Sequence, residues 1–258
     1  MPDQNHGGRV AVVTGAARGF GRAISEGLAA RGADIFAVDI ADCSATRTAV
    51  ERLGRKAVAA RVDITDPEAV AEVGEQVRET FGRCDILVNN AGIYPARDFS
   101  ELDFDMWRRV LAVNLDSQFL MTKAIIELMK TQGRGRIINL TSNSLVLAAP
   151  GLTHYMASKA GVIGFTRGAA TDLAPYGVTV NAVGPTATRG DDDEASRLSD
   201  DQPSLLTTEM VTAVAAMQAI KRPGTFADIV GAVSFLASDD AAFLTGQTIM
   251  VDGGLVRL

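Results

Sequence analysis

Arg9-Val-Ala-Val-Val-Thr14-Gly15-Ala-Ala-Arg18-Gly19-Phe20-Gly21 decides the fold. Arg9–Thr14 reads as a short apolar strand, and Gly15, Gly19 and Gly21 then open a helix running to about Ala30. In that context a glycine signature carries meaning. Residues without side chains let the backbone approach a diphosphate, and the helix N-terminus offers unpaired N–H groups and a positive dipole end. The same turn would also serve tight helix–strand packing. Asp39, closing the second strand, tips the balance: a carboxylate there accepts hydrogen bonds from both hydroxyls of an adenosine ribose and repels a 2′-phosphate. Arg18 points the other way, because a guanidinium in the turn can pair with that phosphate. A fixed acid beneath the ribose outweighs a flexible neighbouring cation, so the expected cofactor is NAD. Asp63 and Ile64, ending the third strand, are placed to touch adenine; their plainer role is the region of a helix N-cap near Asp66-Pro67.

Outward from this turn, strands alternate with helices. Further strands are expected over Ala33–Asp39, Ala57–Val62, Asp85–Asn89, Arg136–Leu140, Val178–Ala182 and Gln247–Val251. Helices are expected from Pro67 to about Phe81, around Asp103–Val113 and Leu115–Thr131, and from Thr153 to about Ala174, ending before Pro175. The alternation implies an α/β fold: a doubly wound (Rossmann) seven-stranded parallel sheet in a three-layer αβα sandwich. With 258 residues, 47% of them hydrophobic, the chain is expected to form a single domain over 1–258. Met1–Gly8 is polar and reads as a loose leader without an apolar signal core. Residues 186–220 break the rhythm. Thr186–Ser204 is polar and acidic, with Asp191-Asp-Asp-Glu194 read as a solvated run, and helical character returns from Leu205 to Ile220. This segment is expected to be a substrate lid.

Bulk properties narrow the function classes. Net charge is −6 and no Lys/Arg stripe forms, so no nucleic-acid partner is expected. No apolar run approaches the roughly 20 residues that span a bilayer, so no membrane partner is expected either. Cys43 and Cys84, without metal-like spacing, suit a reducing cytoplasm. His6 and His154 are the two histidines, and no metal site is expected.

The chemistry lies between Asn139 and Lys159. After the strand Arg136–Leu140 come Thr141, Ser142 and a small-residue loop, then Tyr155-Met-Ala-Ser-Lys159 on a helix, where positions four apart share a face. A free phenol loses its proton near pH 10, too high for a base at neutrality. An ammonium beside it favours the phenolate, and Ser142 can hold the same oxygen from the other side. Taken alone, Tyr-x-x-x-Lys is a chance helical pair with a solvated Lys159. The glycine turn and Asn89-Asn90-Ala91-Gly92 after the fourth strand converge on the same chemistry.

Thr14-Gly-x-x-x-Gly-x-Gly21, Asn89-Asn-Ala-Gly92, Asn114, Ser142 and Tyr155-x-x-x-Lys159, in this order and spacing, resemble the short-chain dehydrogenase/reductase family from Arg9 to Leu258. The resemblance implies that Tyr155 is the acid/base, that Lys159 lowers its pKa and binds the nicotinamide ribose, and that Ser142 orients the substrate oxygen. It further implies that Asn114 holds a water linking Lys159 to solvent and that Asn90, Ala91 and Gly92 border the cofactor. Gly184-Pro185-Thr186-Ala187-Thr188 departs from the usual Pro-Gly arrangement, leaving Pro185, Thr186 and Thr188 as expected but less regular cofactor contacts; Phe20 replaces a commoner aliphatic residue.

Within the family, Phe81–Pro95, Thr153–Tyr155 and Thr245–Arg257 are most similar to dehydrogenases of the 1-phenylethanol kind, while Gly161–Arg167 and Phe235–Asp240 also resemble pyridoxal dehydrogenases. Tyr94, Asn143, Ser144, Leu152 and Met210, with Ser142 and Tyr155, are expected to line the substrate site beside Ile93, Leu145, Leu205 and Leu206. A largely apolar lining implies a hydrophobic or aromatic secondary alcohol and its ketone. Competing readings are a 3-oxoacyl-carrier-protein reductase, a pyridoxal or sugar/polyol dehydrogenase, and a non-catalytic NAD-binding regulator. The Leu115–Thr131 helix and the Gln247–Leu258 tail resemble family surfaces that build a homotetramer.

Overall fold

The computed structural model describes residues 5–188 and 207–256. Seven strands, β1 (Val10–Thr14), β2 (Asp34–Asp39), β3 (Ala57–Arg61), β4 (Ile86–Asn89), β5 (Gly135–Leu140), β6 (Val178–Pro185) and β7 (Thr248–Val251), join one sheet in the order β3-β2-β1-β4-β5-β6-β7. Every pairing is parallel. The β1, β4 and β5 runs are buried along their whole length, as the inner strands of a sheet covered on both faces must be.

The helices are α1 (Gly19–Ala29), α2 (Ser44–Arg52), α3 (Pro67–Phe81), α4 (Phe104–Leu111), α5 (Ser117–Gln132), α6 (Ser144–Leu147), α7 (Thr153–Leu173), α8 (Thr208–Met217) and α9 (Phe226–Ala237). On one face Ile24 and Leu28 of α1 and Ile229 and Val233 of α9 meet the sheet through Ala11, Val13, Ile35 and Val88. On the other, Val70 and Val73 of α3 and Ile125 and Met129 of α5 meet Val12, Phe36, Leu87 and Val180. Two separate cores around one sheet make the doubly wound three-layer sandwich. Local chemistry sets the helix ends. Asp66 accepts hydrogen bonds from the Glu68 and Ala69 amides ahead of Pro67, and α9 begins with a reciprocal Thr225–Asp228 capping box.

Boundaries differ from the sequence expectation at three places. β6 runs on to Pro185, because Gly184 and Pro185 pair with Met250 and Val251 of β7. The expected helices on either side of Asn114 form one run joined by a π-turn over Ala112–Asp116. The leader reading fails at His6, which is fully buried: its amide donates to the Arg31 carbonyl and its Nε2 lies 2.9 Å from Ser234 Oγ. In the expected lid, α8 is present with Thr207 as its N-cap, whereas Asp191–Glu194, Leu205 and Leu206 lie outside the described residues. Among the described residues no helix is long and apolar enough to cross a membrane.

Candidate active site

Consecutive strands wind in opposite directions from β1, so a crevice opens at the carboxyl edge between β1 and β4. A cavity of about 840 Å³ lies there, and the glycine turn forms one wall. Gly15 adopts φ +65°, and a Cβ on it would come within 2.8 Å of Asn90 Nδ2 and 2.9 Å of Ala91 Cα. Two loops therefore approach more closely than any side chain allows. Thr14 stitches them: its Oγ1 accepts from the Asn90 and Ala91 amides at 3.0 and 3.1 Å, and Asn90 Nδ2 donates to the Thr14 carbonyl. Arg18, Gly19, Phe20 and Gly21 bring the start of α1 to this wall. No side chain caps that helix and its first turn holds no acid, which leaves its amides suited to an anion.

Asp39 ends β2 beside the turn. Its Oδ2 accepts from the Ala17 amide and its Oδ1 from the Ala41 amide, both at 2.9 Å, so the carboxylate is held fixed with lone pairs remaining. Phe20 stacks edge-on against Phe226 of α9 at 5.1 Å, which accounts for an aromatic residue in the turn. Asp63 accepts from the Thr65 amide and hydroxyl, the plainer of its two expected roles, yet Asp63 and Ile64 do line the cavity. The close glycine contact, the uncapped helix and the oriented carboxylate fit a dinucleotide.

The reacting groups sit at the other end. Ser142 Oγ accepts from the Ser144 amide at 3.1 Å, so its own hydrogen is left to donate. Burial pushes Tyr155 up to about 12, against a smaller downward pull from the Ser142 hydroxyl. Lys159 is nearly inaccessible; burial lowers it to about 8. Its Nζ donates to the Leu140 carbonyl at 2.7 Å and stands 5.8 Å from the centre of the Tyr155 ring. In this arrangement burial is the largest influence on the phenol, and the Lys159 ammonium is engaged with β5. A nicotinamide held here would supply or accept a hydride, and Tyr155 and Ser142 are groups that could exchange a proton with a substrate oxygen and donate a hydrogen bond to it.

Asn114 is buried in the π-turn. Its Oδ1 accepts from the Ile93 amide at 2.8 Å, and its Nδ2 donates to the Ile93 carbonyl and to Ser158 Oγ. The side chain thus clamps the loop after Gly92 to α7, a task the sequence did not disclose. Its carbonyl accepts from Gln118 Nε2 at 3.0 Å, another partner absent from the sequence reading. Gly92 packs closely here: a Cβ would lie 3.2 Å from Asn114 Oδ1 and 3.4 Å from Lys159 Nζ, so the Asn114 side chain would have to give by a few tenths of an ångström.

On the substrate side, Tyr94 meets Tyr155 edge-on at 5.9 Å, and Leu147, Leu152, Met210 and Val214 add apolar surface. Leu147, Val214 and Phe226 had no signal in the sequence, because a short turn and two separate helices bring them to the cavity. Asn143 and Ser144 follow Ser142 along the wall. Pro185 and Thr186 reach the cavity from β6. Thr188 also lines it, but its hydroxyl donates to the Thr186 carbonyl at 3.0 Å and is unavailable as a donor to a cofactor. Among the described residues no group of three metal-ligating side chains gathers.

Relatives in sequence and structure place the chain in a family. The family described as enoyl-(acyl carrier protein) reductase matches residues 15–256. The 3-oxoacyl-[acyl-carrier-protein] reductase FabG of Escherichia coli K12 is 38% identical over 251 residues, covering 97% of this chain and 98% of that one. The 3-oxoacyl-[acyl-carrier-protein] reductase of Synechocystis sp. PCC 6803 is also 38% identical, covering 96% and 97%. Among solved structures, carveol dehydrogenase from Mycobacterium avium in complex with NAD superposes with a TM-score of 0.85 at 33% identity, covering 96% of this chain and 98% of that one. The chain belongs to the short-chain dehydrogenase/reductase family. It is an oxidoreductase of that family, whose members bind NAD or NADP.

Proposed function

We propose that the protein interconverts a hydrophobic or aromatic secondary alcohol and its ketone with NAD. The observation that carries this reading is that apolar Tyr94, Leu147, Leu152, Met210 and Val214 line the same cavity as Ser142, Tyr155 and Lys159. Catalysis rests on Ser142, Tyr155 and Lys159, with Asn114 holding the loop beside them. The oriented Asp39 carboxylate supports NAD, since a 2′-phosphate brought against it would meet like charge. Exposed Phe119 on α5 and fully exposed Phe243 before β7 support a homotetramer, read as cytoplasmic.

A second reading, reduction of a 3-oxoacyl thioester, is favoured by the names of the relatives. Steady-state rates on acetophenone, 1-phenylethanol and an acetoacetyl thioester, each with NAD(H) and NADP(H), separate the two. The expected result is turnover of the aryl pair with NAD(H), and a fall in the NAD-to-NADP preference of at least about tenfold in Asp39→Ala. Thioester turnover with NADPH, and none of the aryl pair, selects the second reading. Light scattering on the same sample is expected to give four chains.

A further inference from the structure

We infer that Gln218 is a positioning residue for the substrate pocket. Through its side chain, the turn after β7 fixes the C-terminal end of α8 and so sets how far Met210 and Val214 reach into the cavity. The inference rests on the oxidoreductase reading and adds what holds that apolar surface in place.

The end of α8 is built inside out. Gln218, its C-cap, is 1% exposed, whereas Met217 and Ile220 on either side are more than half exposed. A long amide is buried where apolar neighbours are not only when specific bonds hold it. Its main-chain amide donates to the Val214 carbonyl at 3.3 Å, and its Nε2 donates to the Asp252 carbonyl at 3.0 Å. Its Oε1 is buried without a partner among the described residues, so the donor alone makes the tie. Two residues on, the Ile220 amide donates to the Gly253 carbonyl at 2.8 Å.

The acceptor side is firmly held. Asp252 is 2% exposed, its carboxylate accepts from the Gly254, Leu255 and Val256 amides, and Val251 before it pairs with β6. Gln218 therefore joins a turn locked to the sheet with a helical turn that lines the cavity. Met210 and Val214 belong to the apolar lining and carry no group that exchanges a proton. Contacts of that kind are made equally in the bound complex and the transition state, so loosening them raises KM and leaves kcat alone. Losing one hydrogen bond between neutral groups changes a local equilibrium by about three- to tenfold. A role in overall stability alone gives another pattern: fewer folded molecules lower the apparent kcat, KM stays, and hydrogen exchange quickens throughout the chain.

Gln218→Met and Gln218→Glu keep the length of the side chain and lack the Nε2 donor. KM and kcat are measured at saturating cofactor for acetophenone, and for the acetoacetyl thioester where that is the compound turned over. Hydrogen exchange over α7 and α8 is followed on the same samples. Both variants are expected to raise the KM of the carbonyl substrate about three- to tenfold, with kcat and the cofactor KM within about twofold of wild type. Exchange in residues 208–217 is expected to quicken by a similar factor relative to α7. An unchanged KM in both variants overturns the inference and leaves the oxidoreductase reading in place. A change in one variant alone belongs to the new side chain and overturns it as well. Absence of turnover of either compound by the wild type with NADH or NADPH overturns both.

Discussion

The two edges of the sheet hold different kinds of polar group. At the amino edge, Arg9, Arg134 and Arg136 converge on Asp239, and the Arg9 and Arg136 guanidiniums also donate to the Ala237 and Ser238 carbonyls at the end of α9. Asp85 receives Arg83 and the Val10 amide. These charges are spent on one another and on a helix C-terminus, where cations are favourable. At the carboxyl edge, Asn143, Ser144 and Thr186 keep side-chain atoms unpartnered, and Tyr155 and Lys159 sit in surroundings that oppose their charged forms. Charge pairing predominates at one end, although His6 Nδ1 and Arg134 Nε lack partners there too; buried titratable groups held against their charged forms predominate at the other.

Tyr155→Phe tests this contrast hardest. Removing the phenol oxygen deletes proton transfer but keeps the ring against Tyr94, so kcat is expected to fall about 10²–10⁴-fold. The ring and its packing are retained, so the melting temperature is expected to stay within about 4 °C of wild type. Steady-state rates and a melting curve on one preparation check both. A variant that melts far lower would place Tyr155 among the structural groups instead.

At the amino edge the matching test is one of pH. His6 is buried, and desolvation chiefly, with Arg9 next, lowers its pKa from 6.5 to about 4. Between those two values the unfolded chain binds a proton that the folded chain refuses. Stability is therefore expected to fall as pH drops from about 6.5 to 4, by up to roughly 3 kcal/mol, and to be insensitive to His6 above that window. Asn at position 6 cannot titrate. Denaturant midpoints for wild type and His6→Asn across this range should differ in slope, which separates His6 from carboxylates titrating nearby. Parallel curves would show that His6 does not set the acid limit.

What the sequence disclosed follows the same divide. Strands such as Val10–Thr14 were legible because inner parallel strands are apolar throughout, and Gly15, Ser142, Tyr155 and Lys159 were legible because their chemistry needs fixed local spacing. His6 was misread because its partner Ser234 lies 228 positions away, and a polar leader gives no hint of such a contact. How deeply Tyr155 and Lys159 are buried was not legible, because depth of burial is a property of the assembled cleft. The clamp made by Asn114, and the engagement of Thr188 with Thr186, likewise depend on turns that only tertiary pairing creates. Types of groups are written in sequence; which are already spent is settled by packing.

The smallest expected effect is at Asp239. This carboxylate is two-thirds exposed, so water screens much of its attraction for the arginines. Yet Arg9 and Arg136 are almost wholly buried, and without Asp239 their remaining partners are carbonyls and the α9 terminus. Asp239→Asn keeps the size and a carbonyl acceptor while removing the charge. The opposed effects of screening and burial give an expected loss of about 1–2 kcal/mol in urea unfolding, larger at low salt. Activity per folded molecule should be unchanged, because the cluster lies at the far end of the strands from Tyr155. If Asp239→Asn altered kcat while sparing stability, the two edges would be coupled through the strands, and the division of labour between them would fail.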